Sequence, residues 1–275
     1  MDKATLGGLA LAIGGILLGL MLEGGNLGQV LQPTAALIVI GGTLGAVLIQ
    51  YPLPVAMTAF RRLAQVLVEP AQNAQSTIEL LIKYTNQARR EGIISLDREL
   101  ASIDEPFLRR SLMLAVDGTE PQELRAIMEL ELDNKEEQEE KIPQVFESAG
   151  GFSPTIGIIG AVLGLIQVMQ HLDKIDEVGK GIAVAFVATL YGVGAANLIL
   201  LPCAGKLKIR IREEQIIREM TLEGVVSILE GMNPHMLEAK LLGFLSEVQG
   251  PAAGSGDSSS GESHARGASA GGSSL

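Results

Sequence analysis

Gly151–Met169 reads GFSPTIGIIGAVLGLIQVM, and Gly181–Cys203 reads GIAVAFVATLYGVGAANLILLPC. Each is close to the roughly 20 apolar residues that cross a bilayer as a helix. Neither holds a charged side chain, yet each carries one proline, Pro154 and Pro202, placed toward the same side of the membrane. Small residues recur along both: Gly157, Gly160, Ala161 and Gly164 in the first, Ala185, Thr189, Gly192 and Ala195 in the second. Without a hydrophobic driving force between helices in lipid, such residues let backbones approach and pack. These two stretches decide the fold.

Outward from them, two more apolar runs lie near the N-terminus, Ala4–Leu22 and Thr34–Tyr51. The first ends in Glu23-Gly24-Gly25-Asn26, not in a small-residue cleavage site, so it reads as a retained span rather than a signal peptide. The second has glycines at 41, 42 and 45 and stops at Pro52 and Pro54. The chain is 47% hydrophobic with a mean hydropathy of +0.31, a balance expected of a membrane protein. Its fold class is therefore all-α and integral to the membrane, with four transmembrane helices and a large helical insert between spans two and three. Membrane lipid is an expected partner. The formal charge of −11 excludes a general affinity for nucleic acid.

Basic residues set the orientation. Arg61 and Arg62 follow span two, and Lys206, Lys208, Arg210 and Arg212 follow span four. The 23–33 link has no base, and the 170–180 link sets Lys174 and Lys180 against three acids. Both termini and the insert are thus expected in the cytoplasm, with the short links outside.

The chain divides into residues 1–51 (spans one and two), 52–150 (cytoplasmic insert), 151–203 (spans three and four), 204–249 (C-terminal helices) and 250–275. The insert shows helical periodicity through Ile78, Leu81 and Ile82, then Phe107, Leu108, Leu112 and Leu114. Gly92 is an expected C-cap, and Ser95 an expected N-cap for the next segment. Pro106 suits a first turn, and Asp117-Gly118 a helix end. Thr119-Glu120-Pro121-Gln122 fits a capping box opening a long helix that turns acidic at Lys135–Lys141 and leads into span three. Past span four a helix is expected to continue until Gly231-Met232-Asn233-Pro234, with a short helix over Met236–Phe244. From Gly250 the Gly, Ser and Ala composition predicts a disordered tail.

Enzymatic chemistry finds no support. His171, His235 and His264 cannot meet if the first lies across the membrane from the others. Cys203, the one cysteine, permits no intrachain disulfide and no cysteine metal cluster, so no cofactor or metal is expected. An ion path fits better, but such paths normally carry ionisable residues. Spans three and four offer only Thr155, Thr189, Tyr191 and Asn197, and span two Thr43. A threonine in a span most often bonds its own helix, and a proline often only kinks one. If an ion passes, its titrating carboxylate must come from another polypeptide.

The whole pattern resembles the flagellar motor stator subunits of the MotA/PomA family, within the wider MotA/TolQ/ExbB superfamily. The resemblance rests on Ser153-Pro154-Thr155-Ile156-Gly157-Ile158-Ile159-Gly160, on Ala188-Thr189-Leu190-Tyr191-Gly192 with Asn197 and Leu201-Pro202, and on Gly231-Met232-Asn233-Pro234 before Leu237-Glu238-Ala239-Lys240. It covers nearly all of the chain to Gly250. It implies a bacterial inner-membrane subunit, five copies of which surround two copies of a MotB-like, single-span, peptidoglycan-anchored partner. The partner brings the missing aspartate, and ion flux past it drives torque on the rotor protein FliG. It further implies that Pro154, Thr155, Ala161, Thr189, Tyr191 and Pro202 line or couple the ion path, and that Arg89, Arg90, Asp97 and Glu99 face the rotor. Sodium-type members resemble one another in a threonine where this chain has Ala161. Lacking that hydroxyl, which a hard cation favours, the chain is expected to use protons. Two alternatives differ in kind. An ExbB- or TolQ-type energiser has three spans, against which the Ala4–Leu22 and Thr34–Tyr51 pair counts; the other is a membrane scaffold without ion flow.

Overall fold

A computed structural model describes residues 3–68 and 73–248 of the chain. All of its regular structure there is helical. In order, the helices are α1 (Lys3–Leu22), the one-turn α2 (Leu27–Val30), α3 (Pro33–Gln50), α4 (Leu53–Val68), α5 (Ala74–Glu91), α6 (Pro106–Val116), α7 (Pro121–Gln170), α8 (Ile175–Gly194), α9 (Leu201–Leu229) and α10 (Pro234–Val248). A π-helical segment, Ala195–Leu200, joins α8 to α9 without a break. Among the described residues, three helical runs are long and apolar enough to cross a membrane, and Gly7–Leu22 is a shorter apolar one.

The framework is an antiparallel pair: α7, and the 55-residue run Ile175–Leu229. With 50 residues, α7 is roughly 75 Å long at about 1.5 Å per residue. A hydrocarbon layer is about 30 Å thick, so the apolar stretch anticipated as span three and the acidic helix before it form one continuous helix longer than such a layer. The anticipated boundaries at 150/151 and 203/204 therefore fall inside continuous helices. Around the apolar half of the pair pack α3 and α1. Ala35 and Val39 of α3 meet Val187 and Ala188 of α8, and Thr5 of α1 pairs with Lys206 of α9.

Around the polar half sits a helical body. Its core joins Tyr84 of α5, Leu112 of α6, Met128 of α7, Met220 of α9 and Leu237 of α10, all at 2% exposure or less. Burying large side chains of this kind contributes about 1.5–3 kcal/mol each. Between the two halves, Val47, Ala59, Phe146 and Leu207 join α3, α4, α7 and α9 in a second cluster.

The helix ends follow local chemistry, with two exceptions. Gly92 ends α5 at φ +84°, a conformation that favours glycine, and its N–H reaches the Ala88 carbonyl. At α6 the Glu105 carboxylate accepts from the Phe107 and Leu108 N–H groups, with Pro106 in the first turn. The expected box at Thr119–Gln122 does not form. Glu120 occupies the N-cap without a side-chain bond, and Pro121 alone sets the start of α7. Nor does Ser95 cap a helix. Ile93–Arg98 and Leu100–Ser102 are tight 3-10 turns, and the Ser95 hydroxyl donates back to the Gly92 carbonyl at 2.7 Å. Gly231 and Asn233 make the expected break, but α10 runs from Pro234 to Val248 rather than stopping at Phe244. The anticipated disordered tail from Gly250 lies outside the described residues.

Glu223 ties the body together. Arg125 of α7 donates to it at 2.7 Å, and Lys240 of α10 pairs with its other oxygen. Burial pushes its carboxyl up, but these cations outweigh burial and hold it below its ordinary value of 4.5. A carboxyl depressed in the folded state stabilises fully above its unfolded pKa and loses that contribution as pH falls through the folded value. Glu223→Gln should therefore lower thermal stability at pH 7, and the gap to the wild type should close as pH drops below 4.5. Thermal unfolding of both proteins across pH measures this; a gap that widens toward acid contradicts it.

Candidate functional site

Along α7, Ser153, Gly157, Gly160, Gly164 and Val168 are buried and recur at three- and four-residue intervals. They form one face. That face lies directly on Gly181, Ala185, Ala188 and Gly192 of α8. A methyl group built on Gly157 would stand 2.8 Å from the Ala188 carbonyl oxygen, and one on Gly164 2.8 Å from that of Gly181. On Gly192 it would stand 2.6 Å from the Ser153 carbonyl oxygen and 3.0 Å from the Gly157 Cα. The two backbones are in contact, and the Ser153 hydroxyl donates across the seam to the Gly192 carbonyl at 3.0 Å.

At the end of this seam nearest the polar helical body stand both prolines. Pro154 lies inside α7 and has no N–H for the Gly150 carbonyl one turn back. Gly150 itself packs against Leu201, the residue before Pro202. Immediately ahead of Pro202 the helix is π-wound, and the Leu201 N–H reaches back five residues to the Ala196 carbonyl. Helix α7 and the α8–α9 run thus each have an interrupted hydrogen-bond ladder near one level, where backbone carbonyls are short of donors. A π-wound turn and a proline both permit bending that a regular helix resists.

The hydroxyls are placed as follows. Thr155 is exposed and donates to the Phe152 carbonyl at 2.7 Å; Thr189 is half-buried and donates to that of Ala185 at 3.2 Å. Each hydroxyl proton is used within its own helix, which leaves oxygen lone pairs to face a cation. Ala161 and Pro154 are half-buried, and Pro202 is exposed. The Tyr191 hydroxyl donates to Val30 at 2.6 Å and accepts from the Gln32 N–H at 3.3 Å. It fastens the α2–α3 turn to α8, which makes it an anchor. Along Gly151–Met169 and Gly181–Cys203 there is no Asp, Glu, His, Lys or Arg. Among the described residues no group of His, Cys, Asp and Glu could hold a metal.

At the far end of the body, Arg89 and Arg90 are exposed in the last turn of α5, and Asp97 is exposed on the 3-10 turn after it. Glu99 instead pairs with Lys83 at 3.0 Å. That bond raises the lysine's pKa.

One constellation escaped sequence reasoning. Arg62 of α4 donates to Glu139 of α7 at 3.2 Å and to Glu214 of α9 at 2.7 Å. Arg218 of α9 reaches the same two carboxylates at 2.9 and 3.3 Å. Two arginines on two glutamates thus lock α4, α7 and α9 together where the apolar rods enter the polar body. The run Glu136-Glu137-Gln138-Glu139-Glu140 gave no sign of which acid is buried. A helical wheel set by Leu132, Ile142 and Phe146 could have singled out Glu139.

Comparison with known proteins agrees with this geometry. Residues 6–92 match the model of the motility protein A N-terminal region, and residues 99–220 that of the MotA/TolQ/ExbB proton channel family. Motility protein A of Bacillus subtilis is 38% identical over 252 residues, covering 89% of this chain and 91% of that one. The C. jejuni MotAB structure superposes with a TM-score of 0.85 at 31% identity, covering 93% of this chain and 100% of that chain. The Bacillus subtilis flagellar MotAB stator complex gives 0.80 at 36% identity, covering 89% and 96%. The chain belongs to the motility protein A family, the ion-channel subunits of the flagellar motor stator. This is a family of membrane channels, not of enzymes.

Proposed function

We propose that the chain crosses the bacterial inner membrane four times, through α1, α3, the last twenty or so residues of α7 and the run from α8 to Cys203. Both termini and residues 52–150 then lie in the cytoplasm, an orientation supported by Arg61, Arg62 and Lys206–Arg212 at the ends of spans two and four.

One observation carries the mechanism: the glycine-packed seam of α7 and α8 is uncharged and flanked by Pro154 and Pro202. Such a wall can bend and offer oxygens but cannot carry a proton, so a second polypeptide supplies the titrating carboxylate. Both solved relatives are MotAB complexes, which supports a MotB-like, single-span, peptidoglycan-anchored partner, with five copies of this chain around two of it. Pro154, Thr155, Ala161, Thr189 and Pro202 form this chain's share of the path, and Tyr191 braces it by fastening the α2–α3 turn to α8. Ala161 in place of a hydroxyl residue favours protons over sodium.

Arg89, Arg90, Asp97 and Glu99 form the surface that pushes on FliG. Complementary charge suits a contact made and released at every step, because it speeds encounter more than it adds affinity. With Glu99 paired to Lys83, Asp97 is the more available acid. Deleting the gene in a strain with no second stator set should leave assembled but paralysed flagella. Restoring it as Arg89→Glu/Arg90→Glu should give normal membrane levels but at least about a tenfold loss of stall torque, judged from the cost of like charges in a docking surface. Tethered-cell rotation measures both, and full torque from the double reversal would remove the rotor assignment.

A further inference from the structure

Thr43 of α3 is 6% exposed, and its hydroxyl has no hydrogen-bond partner. A threonine in a helix would ordinarily donate to the carbonyl one turn back, and a buried hydroxyl left unpaired is costly. This one borders a half-open apolar pocket of about 140 Å³ among α3, α4, α7 and the π-wound segment, whose rim is formed by the exposed side chains of Ile40, Leu44 and Phe60. Val47, Phe60, Phe146, Ala149 and Leu200 are part of its wall, and Phe60 stands edge-on to Phe146 at 5.4 Å.

Water fits this space poorly, since a buried water needs two to four polar partners. The other polar wall residue, Ser153, already donates to Gly192. A space of about 150 Å³ lined by aliphatic and aromatic side chains is large enough to accept a single benzene ring. We propose that this pocket is a binding site for one small neutral aromatic molecule with a single polar atom, of the phenol class, held by the Thr43 hydroxyl. Its wall includes Ser153, next to Pro154, and both ends of the π-wound segment, Ala195 and Leu200. An occupant there fixes the spacing of α3 against both interrupted helices, and so slows whatever bending ion passage requires.

The test is fluorine NMR titration of the full chain, purified with its membrane partners in lipid nanodiscs, against 4-fluorophenol and fluorobenzene. Empty nanodiscs correct for partition into lipid. Both probes should bind saturably at one site per chain. Thr43→Val, which keeps the volume, should weaken 4-fluorophenol about five- to tenfold and leave fluorobenzene unchanged. Ala149→Leu and, independently, Ala195→Leu should abolish both. Absence of saturable binding would mean that a neighbouring subunit or a lipid chain already fills the space, and it overturns the proposal. So does equal 4-fluorophenol affinity in Thr43→Val, or binding that survives both filling variants.

Discussion

Replacing Gly192 with alanine should cripple motility and weaken the assembled protein, and replacement with valine should abolish both function and accumulation. The added methyl would lie 2.6 Å from the Ser153 carbonyl oxygen and 3.0 Å from the Gly157 Cα. Both are backbone atoms, so no side-chain rotation relieves the clash and the helices must separate. Overpacking of this kind costs about 1–3 kcal/mol even for small additions, and separation also strains the Ser153–Gly192 hydrogen bond. Gly194, two residues on, is the internal control. A methyl built there meets nothing within 4 Å, so Gly194→Ala should swim and melt like the wild type. Swimming speed and thermal unfolding of the pair decide the point. Equal behaviour of Gly192→Ala and Gly194→Ala would show that the seam is not close-packed.

The second large effect is expected at Glu139. Its carboxylate accepts from Arg62 and Arg218, and its side chain is 11% exposed. Glu139→Ala leaves two guanidinium groups facing Glu214 alone. Breaking a buried pair by removing one partner typically costs about 3–5 kcal/mol. Since the Arg62 side chain is 26% exposed and partly solvated, about 2–4 kcal/mol is the better expectation. Arg62 also shows the strength of the arrangement: burial alone would lower its pKa, yet Glu214 and Glu139 raise it above the ordinary arginine value. Because the cluster joins α4, α7 and α9 at the exit from the apolar region, its loss should uncouple as well as destabilise. At matched protein levels, Glu139→Ala should lose torque more steeply than Arg125→Ala, which breaks a partly exposed ion pair within the body. Torque retained in full would confine the cluster to a minor surface role.

Much of this architecture was legible in the residues. The spans, the glycine faces, and the helix ends at Gly92, Pro106 and Gly231 each express a local rule, either periodicity, a positive φ or a missing N–H. That the acidic helix leads into the third apolar stretch was legible, but its unbroken passage through Gly150-Gly151 and Pro154 was not, because glycine, serine and proline together read locally as a helix end. Nor were long-range pairings. Glu139 looks like its acidic neighbours until α4 and α9 fold onto it. Nothing in the sequence shows that the Tyr191 hydroxyl donates to the carbonyl of Val30, 161 residues away. Ser95 and Thr119 carry capping residue types, but 3-10 turns and Pro121 prevailed locally. The π-wound segment before Pro202 has no sequence signature beyond the proline itself.

The central claim is that this uncharged wall conducts only with a partner's carboxylate, and that Pro154 and Pro202 let it respond. It is tested most directly by recording cytoplasmic pH after an external acid pulse, in cells expressing the chain alone, with a MotB-like partner, or with a partner whose intramembrane aspartate is asparagine. The account predicts rapid acidification only with the intact partner, strongly reduced by Pro154→Ala or Pro202→Ala at equal membrane levels. Acidification by the chain alone, or undiminished flux through the asparagine partner, would contradict it.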